Sequence, residues 1–227
     1  TGRAAKVISD KIDDEAYTIH KSIYCLNNLI EYNSSKNNSN SFKYFFGIKN
    51  NEDPSNCIYI IDESSMISNN FSESLFFRFG SGYLLNDLIS YTDIKNKNLN
   101  RKIIFIGDTA QLPPIGMEYS PALDSKYLRN LYSVKVSECE LKEVMRQKKK
   151  SGILTNATNL RKQLKEEKYS QFTIDCNFND IIDIDQRNII NKYISLNDKC
   201  KQSIIIAHSN KTVQEYNKGV RDNLYPT

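Results

Sequence analysis

The chain has 227 residues and a formal net charge of +4, which suits one large or two small globular domains. Hydrophobic residues make up 39% of it and charged residues 26%, which excludes the compositions of disordered and fibrous proteins. The longest aliphatic runs are far shorter than the roughly 18 residues of a membrane span, and no signal peptide is recognisable. We therefore expect a soluble, cytoplasmic protein with no membrane partner.

The spacing of apolar residues predicts an alternation of helices and strands. We expect helices at Ala16–Tyr32, Phe71–Phe79 and Ser81–Tyr91, and strands at Cys57–Ile61 and Lys102–Ile106. Asn33–Asn40 should form a loop, and Asp93–Arg101 a connector. Beyond a boundary near Gln147–Gly152 we expect a helix, a strand and a helix at Ser151–Lys168, Ser203–Ala207 and Asn210–Leu224. The strands are continuous apolar runs, as in parallel sheets covered on both faces, so the pattern indicates an α/β fold.

The five cysteines, Cys25, Cys57, Cys139, Cys176 and Cys200, are widely scattered. They form no C-x-x-C pair and have no nearby histidine that would complete a zinc site. We interpret them as free, reduced thiols of an intracellular protein.

Two adjacent acids, Asp62 and Glu63, directly follow the first predicted strand. In P-loop nucleotide hydrolases an acid at the end of a strand holds Mg²⁺, and a neighbouring acid can activate the attacking water. Asp62 is therefore the candidate magnesium ligand, and Glu63 the candidate general base. By themselves, two acids after a strand are equally consistent with a solvated turn or a helix cap.

A polar, proline-containing segment, Gly107–Gly116, follows the second predicted strand. Ligands of open α/β sheets bind beyond the carboxyl ends of strands, so this segment and the acid pair should face one crevice. The amide of Gln111 both donates and accepts hydrogen bonds, and it could contact a terminal phosphate and its attacking water together. Glycine and proline here are also ordinary in turns.

Arg146 lies in the segment Glu143–Gln147, close to the expected domain boundary. A guanidinium group aimed at an interdomain cleft can stabilise charge that develops during phosphoryl transfer. A lone arginine is more often a solvated surface residue, so Arg146 gains weight only from its neighbours.

Five segments in this order resemble the motifs of superfamily 1B DNA helicases, the branch that contains the phage helicase Dda and RecD, the exodeoxyribonuclease V α subunit. They are TGRAAK at Thr1–Lys6, TIH at Thr18–His20, IDESSM at Ile61–Met66, GDTAQLPPIG at Gly107–Gly116 and EVMRQ at Glu143–Gln147. Each segment alone is moderate evidence for this resemblance, and the five segments in this order are strong evidence for it. The likeness extends over almost the whole chain, including the strand and helix that begin at Ser203.

The resemblance implies a P-loop NTPase fold with a RecA-like parallel sheet flanked by helices. Residues 1–147 would form an incomplete first RecA-like domain with motifs Ia, II, III and IV, and residues 148–227 part of a second. It implies ATP and Mg²⁺ as cofactors, movement along single-stranded DNA in the 5′-to-3′ direction, and association with subunits of a recombination or nuclease complex. Arg146 would contact the γ-phosphate, and the DNA-binding residues would be Thr1, Gly2, Arg3, Thr18, His20, Pro113 and Pro114.

This helicase branch also carries a small β-hairpin, the pin, between motifs Ia and II, and residues 41–53 fall in that interval. Phe42, Tyr44 and Phe46 with Lys43 could stack on bases there, or the alternating aromatics could form one buried face of a strand. The second interpretation is slightly favoured.

The phosphate-binding loop G-x-x-x-x-G-K-[ST] is missing, because none of the eight glycines is followed by lysine. Motifs V and VI are missing too, and Ser64 stands where the family more often has a small apolar residue. We therefore expect a fragment of a longer protein that, when isolated, neither binds ATP tightly nor hydrolyses it. The alternatives are another P-loop ATPase, such as a PhoH-like protein, and a non-catalytic DNA-binding scaffold.

Overall fold

The computed structural model of the protein describes residues 2–33, 42–141, 143, 151–168, 173–196 and 203–225. The chain divides into two compact units, Thr1–Leu141 and Lys142–Thr227. The first unit is a mixed α/β fold built from small sheets and helices, as the sequence predicts.

The first unit begins with helix α1, Gly2–Ile12, and a single helical turn, α2, Ile19–Ile23. The predicted helix Ala16–Tyr32 is wrong beyond Ile23, because strand β1, Tyr24–Asn33, follows at once. Strand β1 pairs antiparallel with β2, Phe42–Ile48, from Asn33 opposite Phe42 to Tyr24 opposite Ile48. The apolar spacing is compatible with either conformation over a short stretch, and the partner strand decides it. Most of the expected loop at residues 33–40 lies outside the described residues.

The predicted helix Phe71–Phe79 is also wrong. An irregular segment leads to the short strand β4, Phe77–Phe79, which pairs parallel with β2 and completes a three-stranded sheet in the order β1-β2-β4. The backbone N–H groups of Phe76 and Phe77 donate to the Ser74 hydroxyl, and such local hydrogen bonds compete with helix formation. Aromatic residues also favour a strand when a neighbour is available.

The two strands that precede the polar segments are confirmed as β3, Ile58–Ile61, and β5, Lys102–Phe105. They pair parallel, with Ile58 opposite Lys102 and Ile61 opposite Phe105. Helix α3, Leu84–Thr92, confirms the helix predicted at Ser81–Tyr91, and residues 93–101 form the expected irregular connector. A larger parallel sheet of the RecA type is not formed by the part of the chain that the structure describes.

The core of the first unit lies between the two sheets and helices α3 and α4, Ser125–Tyr132. Its buried hydrophobic residues are Ile23, Tyr24, Ile67, Leu85, Leu88, Ile89, Ala122, Leu128 and Tyr132. From the β3–β5 sheet only Ile61, Ile103 and Phe105 pack against this core, while the opposite face is exposed. The expectation that both faces are buried therefore holds for one face only among the described residues.

The second unit, taken by itself, contains helices α5, Gly152–Lys165, α6, Ile189–Ser195, and α7, Asn210–Leu224. The predicted helices at Ser151–Lys168 and Asn210–Leu224 are thus confirmed, each with a serine N-cap, Ser151 and Ser209. The predicted strand Ser203–Ala207 is wrong, because these residues have no regular structure. A strand needs a neighbour for its backbone hydrogen bonds, and the described part of this unit contains none.

Cys25, Cys57, Cys139 and Cys176 are free thiols. Within the described ranges, no helix is both long enough and apolar enough to cross a membrane.

Candidate functional site

The chain turns sharply at the end of β3, where the acid pair lies. Glu63 adopts a left-handed conformation with φ 54°, and Ser64–Met66 then form a single 3₁₀ turn. The Ser64 hydroxyl donates to the Ile61 carbonyl oxygen at 2.8 Å, and the Glu63 N–H donates to Asp62 Oδ1 at 2.9 Å. Ser64 is buried whereas Asp62 and Glu63 are exposed, so a fixed turn presents both carboxylates to solvent. The left-handed conformation of Glu63 turns the chain sharply after β3.

The tips of β3 and β5 are hydrogen-bonded to each other beyond the regular strands. The Ile106 N–H donates to the Ile61 carbonyl oxygen at 2.8 Å, and the Ser64 N–H donates to the Ile106 carbonyl oxygen at 2.9 Å. A Cβ atom added at Gly107 would lie only 3.0 Å from the Ser65 backbone nitrogen. Only glycine allows the two backbones to approach so closely. The structure therefore brings the segment after the acid pair into contact with the segment that leads to Gln111.

A compact turn follows Gly107. The Ala110 N–H donates to Asp108 Oδ1 at 2.9 Å, and the Gln111 N–H donates to the Asp108 carbonyl oxygen at 3.0 Å. Gln111 is exposed. Asp62 and Glu63 directly follow the carboxyl end of β3, and the turn that carries Gln111 follows the carboxyl end of its parallel neighbour β5.

The end of this loop holds two exposed residues that sequence reasoning missed. Pro114 is buried and Pro113 half-buried, and the Met117 N–H donates to the Pro114 carbonyl oxygen at 3.0 Å across a turn with Gly116 at φ 75°. Leu112 and Ile115, in contrast, are 78% and 97% exposed. The sequence signal that could have identified Leu112 and Ile115 is the position of these large aliphatic residues beside two prolines. Of the two prolines proposed as DNA contacts, Pro114 has little surface to offer.

The TIH segment forms the entry to α2. The Thr18 hydroxyl accepts a hydrogen bond from the Lys21 N–H at 3.3 Å and so acts as the helix N-cap. The His20 ring makes an edge contact with Phe79 at 5.0 Å between centroids, and its centroid lies 5.5 Å from that of Tyr24. Desolvation by these neighbours lowers the pKa of His20. His20 is therefore a neutral aromatic group at neutral pH, with part of its surface still exposed.

The remaining predicted site residues are less informative. Gly2 is the first residue of α1, and the backbone of Arg3 continues that helix. Thr1 and Arg146 lie outside the described residues.

The family model described as an AAA domain matches residues 1–117, more than half of the chain. The chain belongs to the AAA domain family. This is a P-loop, helicase-associated domain found in helicases of the UvrD, Rep and RecD types, and it indicates a P-loop ATPase of helicase type. The match spans both strand tips and the TIH segment. No curated protein matches the chain significantly.

The donor set of this AAA domain fits a magnesium ion that is held largely by water and phosphate. Within the ranges described by the structure, no group of three or more His, Cys, Asp or Glu side chains could hold a metal ion. Mg²⁺ in nucleotide sites needs only one or two carboxylates, because it keeps several of its waters. The exposed Asp62 at the end of β3 meets that requirement.

Substituting Gly107 by alanine should destabilise the AAA domain. The added Cβ would lie 2.9 Å from Leu123 Cδ1 and 3.2 Å from the Ser64 backbone nitrogen, so the two strand tips must move apart. We expect the free energy of unfolding, measured by urea denaturation, to fall by about 1–3 kcal/mol. Gly47→Ala is the matched control, because its Cβ would meet only Phe45 Cε1, at 3.7 Å. Equal urea midpoints for Gly107→Ala and the wild type would show that the tips are not packed as described.

The lowered pKa of His20 predicts a loss of stability in mild acid. Above the ordinary histidine pKa of about 6.5, the side chain is neutral in both the folded and the unfolded chain, and it carries no penalty. As the pH falls from 7 to 5, the unfolded chain takes up the proton first, so the folded state becomes less stable. His20→Gln should therefore lose less stability over this range than the wild type in denaturation experiments. Parallel pH dependences of the two proteins would be inconsistent with a desolvated His20.

Proposed function

We propose that this chain is part of an ATP-dependent DNA helicase or translocase of the RecD- and Dda-like branch, moving 5′-to-3′ on single-stranded DNA. The observation that carries the proposal is the contact between the tips of β3 and β5. The residues that we propose for the reaction, Asp62, Glu63 and Gln111, follow these two tips, and backbone hydrogen bonds between Ser64, Ile106 and Ile61 join the tips. Membership of the AAA domain family supports a motor of this kind.

Each of these side chains has a separate task in the proposed reaction. The Asp62 carboxylate would hold Mg²⁺ through its hydration shell, and the Glu63 carboxylate would accept a proton from the attacking water. The Gln111 amide would orient that water by donating and accepting hydrogen bonds. Arg146 would stabilise the charge that develops on the transferred phosphoryl group. Bound Mg·ATP would supply the phosphoryl group whose transfer to water drives movement.

The larger architecture proposed here is that of two RecA-like domains. Strands β3 and β5 would be two strands of the first parallel sheet, within residues 1–147, and their exposed faces suit further covering elements. Residues 148–227, with α5 and α7, would belong to the second domain. The phosphate-binding loop would be supplied by another part of the protein, because this sequence contains no Gly-Lys pair.

Single-stranded DNA would contact the TIH segment and the loop after β5. Thr1, Gly2, Arg3, Thr18, His20 and Pro113 are the proposed DNA-binding residues, to which the exposed Leu112 and Ile115 are now added. The β1–β2 hairpin would be the strand-separating pin. Tyr44 on β2 is exposed, while Phe46 stacks on Phe79 at 4.8 Å and packs against the core. We further propose a cytoplasmic location and partner subunits of a recombination or nuclease complex.

The decisive experiment compares this chain with the full-length protein that contains it. The full-length protein should hydrolyse ATP faster in the presence of oligo-dT, and its affinity for labelled oligo-dT should fall steeply with salt as phosphate contacts are lost. The isolated chain should show no turnover. Oligonucleotide binding by a full-length protein without ATPase activity would favour the scaffold alternative, and salt-independent or absent binding would contradict the helicase.

A further inference from the structure

A buried carboxylate, Asp87 of helix α3, lies outside every motif considered above. It is 1% exposed, and both of its oxygens accept hydrogen bonds. Oδ2 accepts from the Tyr24 hydroxyl at 2.7 Å, and Oδ1 accepts from the Ser81 hydroxyl at 2.6 Å. The Ser81 N–H donates to the same carboxylate at 3.1–3.2 Å. Burial removes most of the solvation of this carboxylate, and the hydrogen bonds compensate for that loss. The carboxylate is therefore expected to hold its hydrogen-bond partners in fixed positions.

The two partners of Asp87 lead to the two aromatic rings that touch His20. Tyr24 carries one of these rings, and its backbone N–H also donates to the His20 carbonyl oxygen. Ser81 lies two residues beyond Phe79, which carries the other ring. The Tyr24 and Phe79 rings are themselves in contact, with centroids 5.2 Å apart.

The backbone around Ser81 is shaped to reach the carboxylate. Gly80 and Gly82 have φ values of 47° and 86°, which side chains other than glycine rarely adopt. The Gly80 N–H donates to the Phe46 carbonyl oxygen at 2.9 Å, which anchors the same turn to β2. Phe79 is therefore fixed on one side by the sheet and on the other by Asp87.

We infer that Asp87 is the positioning residue for the His20 imidazole, acting through the Tyr24 hydroxyl on one side and through the Ser81 turn and Phe79 on the other. This inference rests on the proposed function, in which His20 contacts single-stranded DNA. Asp87 itself is buried and touches no DNA. Asp87 holds the Tyr24 and Phe79 rings in place. These rings in turn give the imidazole a single orientation with one side exposed. A fixed aromatic group loses less conformational entropy when a base stacks on it.

The test uses two variants of the 227-residue chain, Asp87→Asn and Tyr24→Phe. The second variant removes only the Tyr24 hydroxyl. With only two histidines in the sequence, the ring-proton NMR signals of His20 and His208 are readily distinguished. In the wild type the His20 signals should be shifted by the neighbouring rings and show NOEs to Phe79. Both variants should lose these NOEs while His208 is unchanged. Tyr59→Phe is the matched control, because Tyr59 makes another Tyr–Asp hydrogen bond, with Asp53 at 2.9 Å.

Oligo-dT affinity supplies the functional readout in the full-length protein. We expect Asp87→Asn and Tyr24→Phe to weaken binding about fivefold, and His20→Ala at least as much. In the His20→Ala background, Asp87→Asn should have no further effect, which a merely structural role would not produce. Unchanged His20 signals in folded Asp87→Asn would overturn the inference, as would additive affinity losses. If the wild type binds no DNA, the proposed function fails while the NMR arm still decides the positioning role.

Discussion

Glu63→Gln should strongly reduce ATP hydrolysis by the full-length protein while leaving nucleotide binding intact. The substitution keeps the shape of the side chain and removes the carboxylate that we propose as the proton acceptor. A positioned general base contributes about 10²–10⁴-fold to such reactions, so we expect kcat to fall by about a thousandfold. The Mg·ATP dissociation constant should change little, because Asp62 and the phosphate-binding loop would hold the nucleotide. Steady-state turnover and equilibrium nucleotide binding, each with saturating oligo-dT, measure the two quantities.

The matched control for this experiment is Glu52→Gln, which alters another exposed glutamate of the same unit. It should retain full turnover. If Glu63→Gln kept more than about a tenth of the wild-type kcat, another group would have to be the base. A parallel loss of nucleotide affinity would assign Glu63 to binding instead.

Gly80→Ala should strongly destabilise the first unit. The added Cβ would overlap Asp87 Oδ2 and lie 2.8 Å from Tyr24 Cε1, and the φ of 47° is unfavourable for alanine. The overlap and the backbone strain together should lower the free energy of unfolding by about 3 kcal/mol or more. Because Tyr24 and Asp87 are both in or beside the core, the loss should affect the whole unit. Urea denaturation followed by circular dichroism measures it.

Gly2→Ala is the control for Gly80→Ala, since an added Cβ there meets nothing within 4 Å. It should leave the urea midpoint close to that of the wild type. A Gly80→Ala protein as stable as the wild type would show that the turn and its carboxylate are not arranged as described.

Elements could be predicted from the sequence where their apolar residues are regularly spaced and nearby residues mark where the element begins or ends. Helix α7 begins after Ser209, whose hydroxyl accepts from the Thr212 N–H, so its boundary is coded locally. Strands β3 and β5 are short, largely apolar runs that are followed by polar residues. Strand β1 falls within a predicted helix because Tyr24–Asn33 owes its conformation to pairing with β2. The spacing of its own apolar residues does not indicate that pairing. Strand β4 depends on β2 in the same way.

The candidate site was predictable wherever it depends on residues that follow a strand directly. Asp62 and Glu63 follow β3, and the tips of β3 and β5 meet because parallel neighbours end at one edge. The links that hold the site together were not predictable. The hydrogen bond from Ser64 to Ile106 joins residues distant in sequence, and the Asp87 network depends on how α3 packs against Tyr24. The 97% exposure of Ile115 beside the buried Pro114 was likewise not predictable.

In the proposed motor, Asp62 and Gln111 serve one nucleotide. A crystal structure of the full-length protein with Mg²⁺ and a non-hydrolysable ATP analogue tests it most directly. We predict that the Asp62 carboxylate lies within about 5 Å of the magnesium ion, in reach of a bridging water, and that the Gln111 amide lies within about 3.5 Å of the γ-phosphate or the attacking water. A nucleotide bound elsewhere, or Asp62 and Gln111 side chains on opposite sides of the β3–β5 sheet, would contradict the assignment.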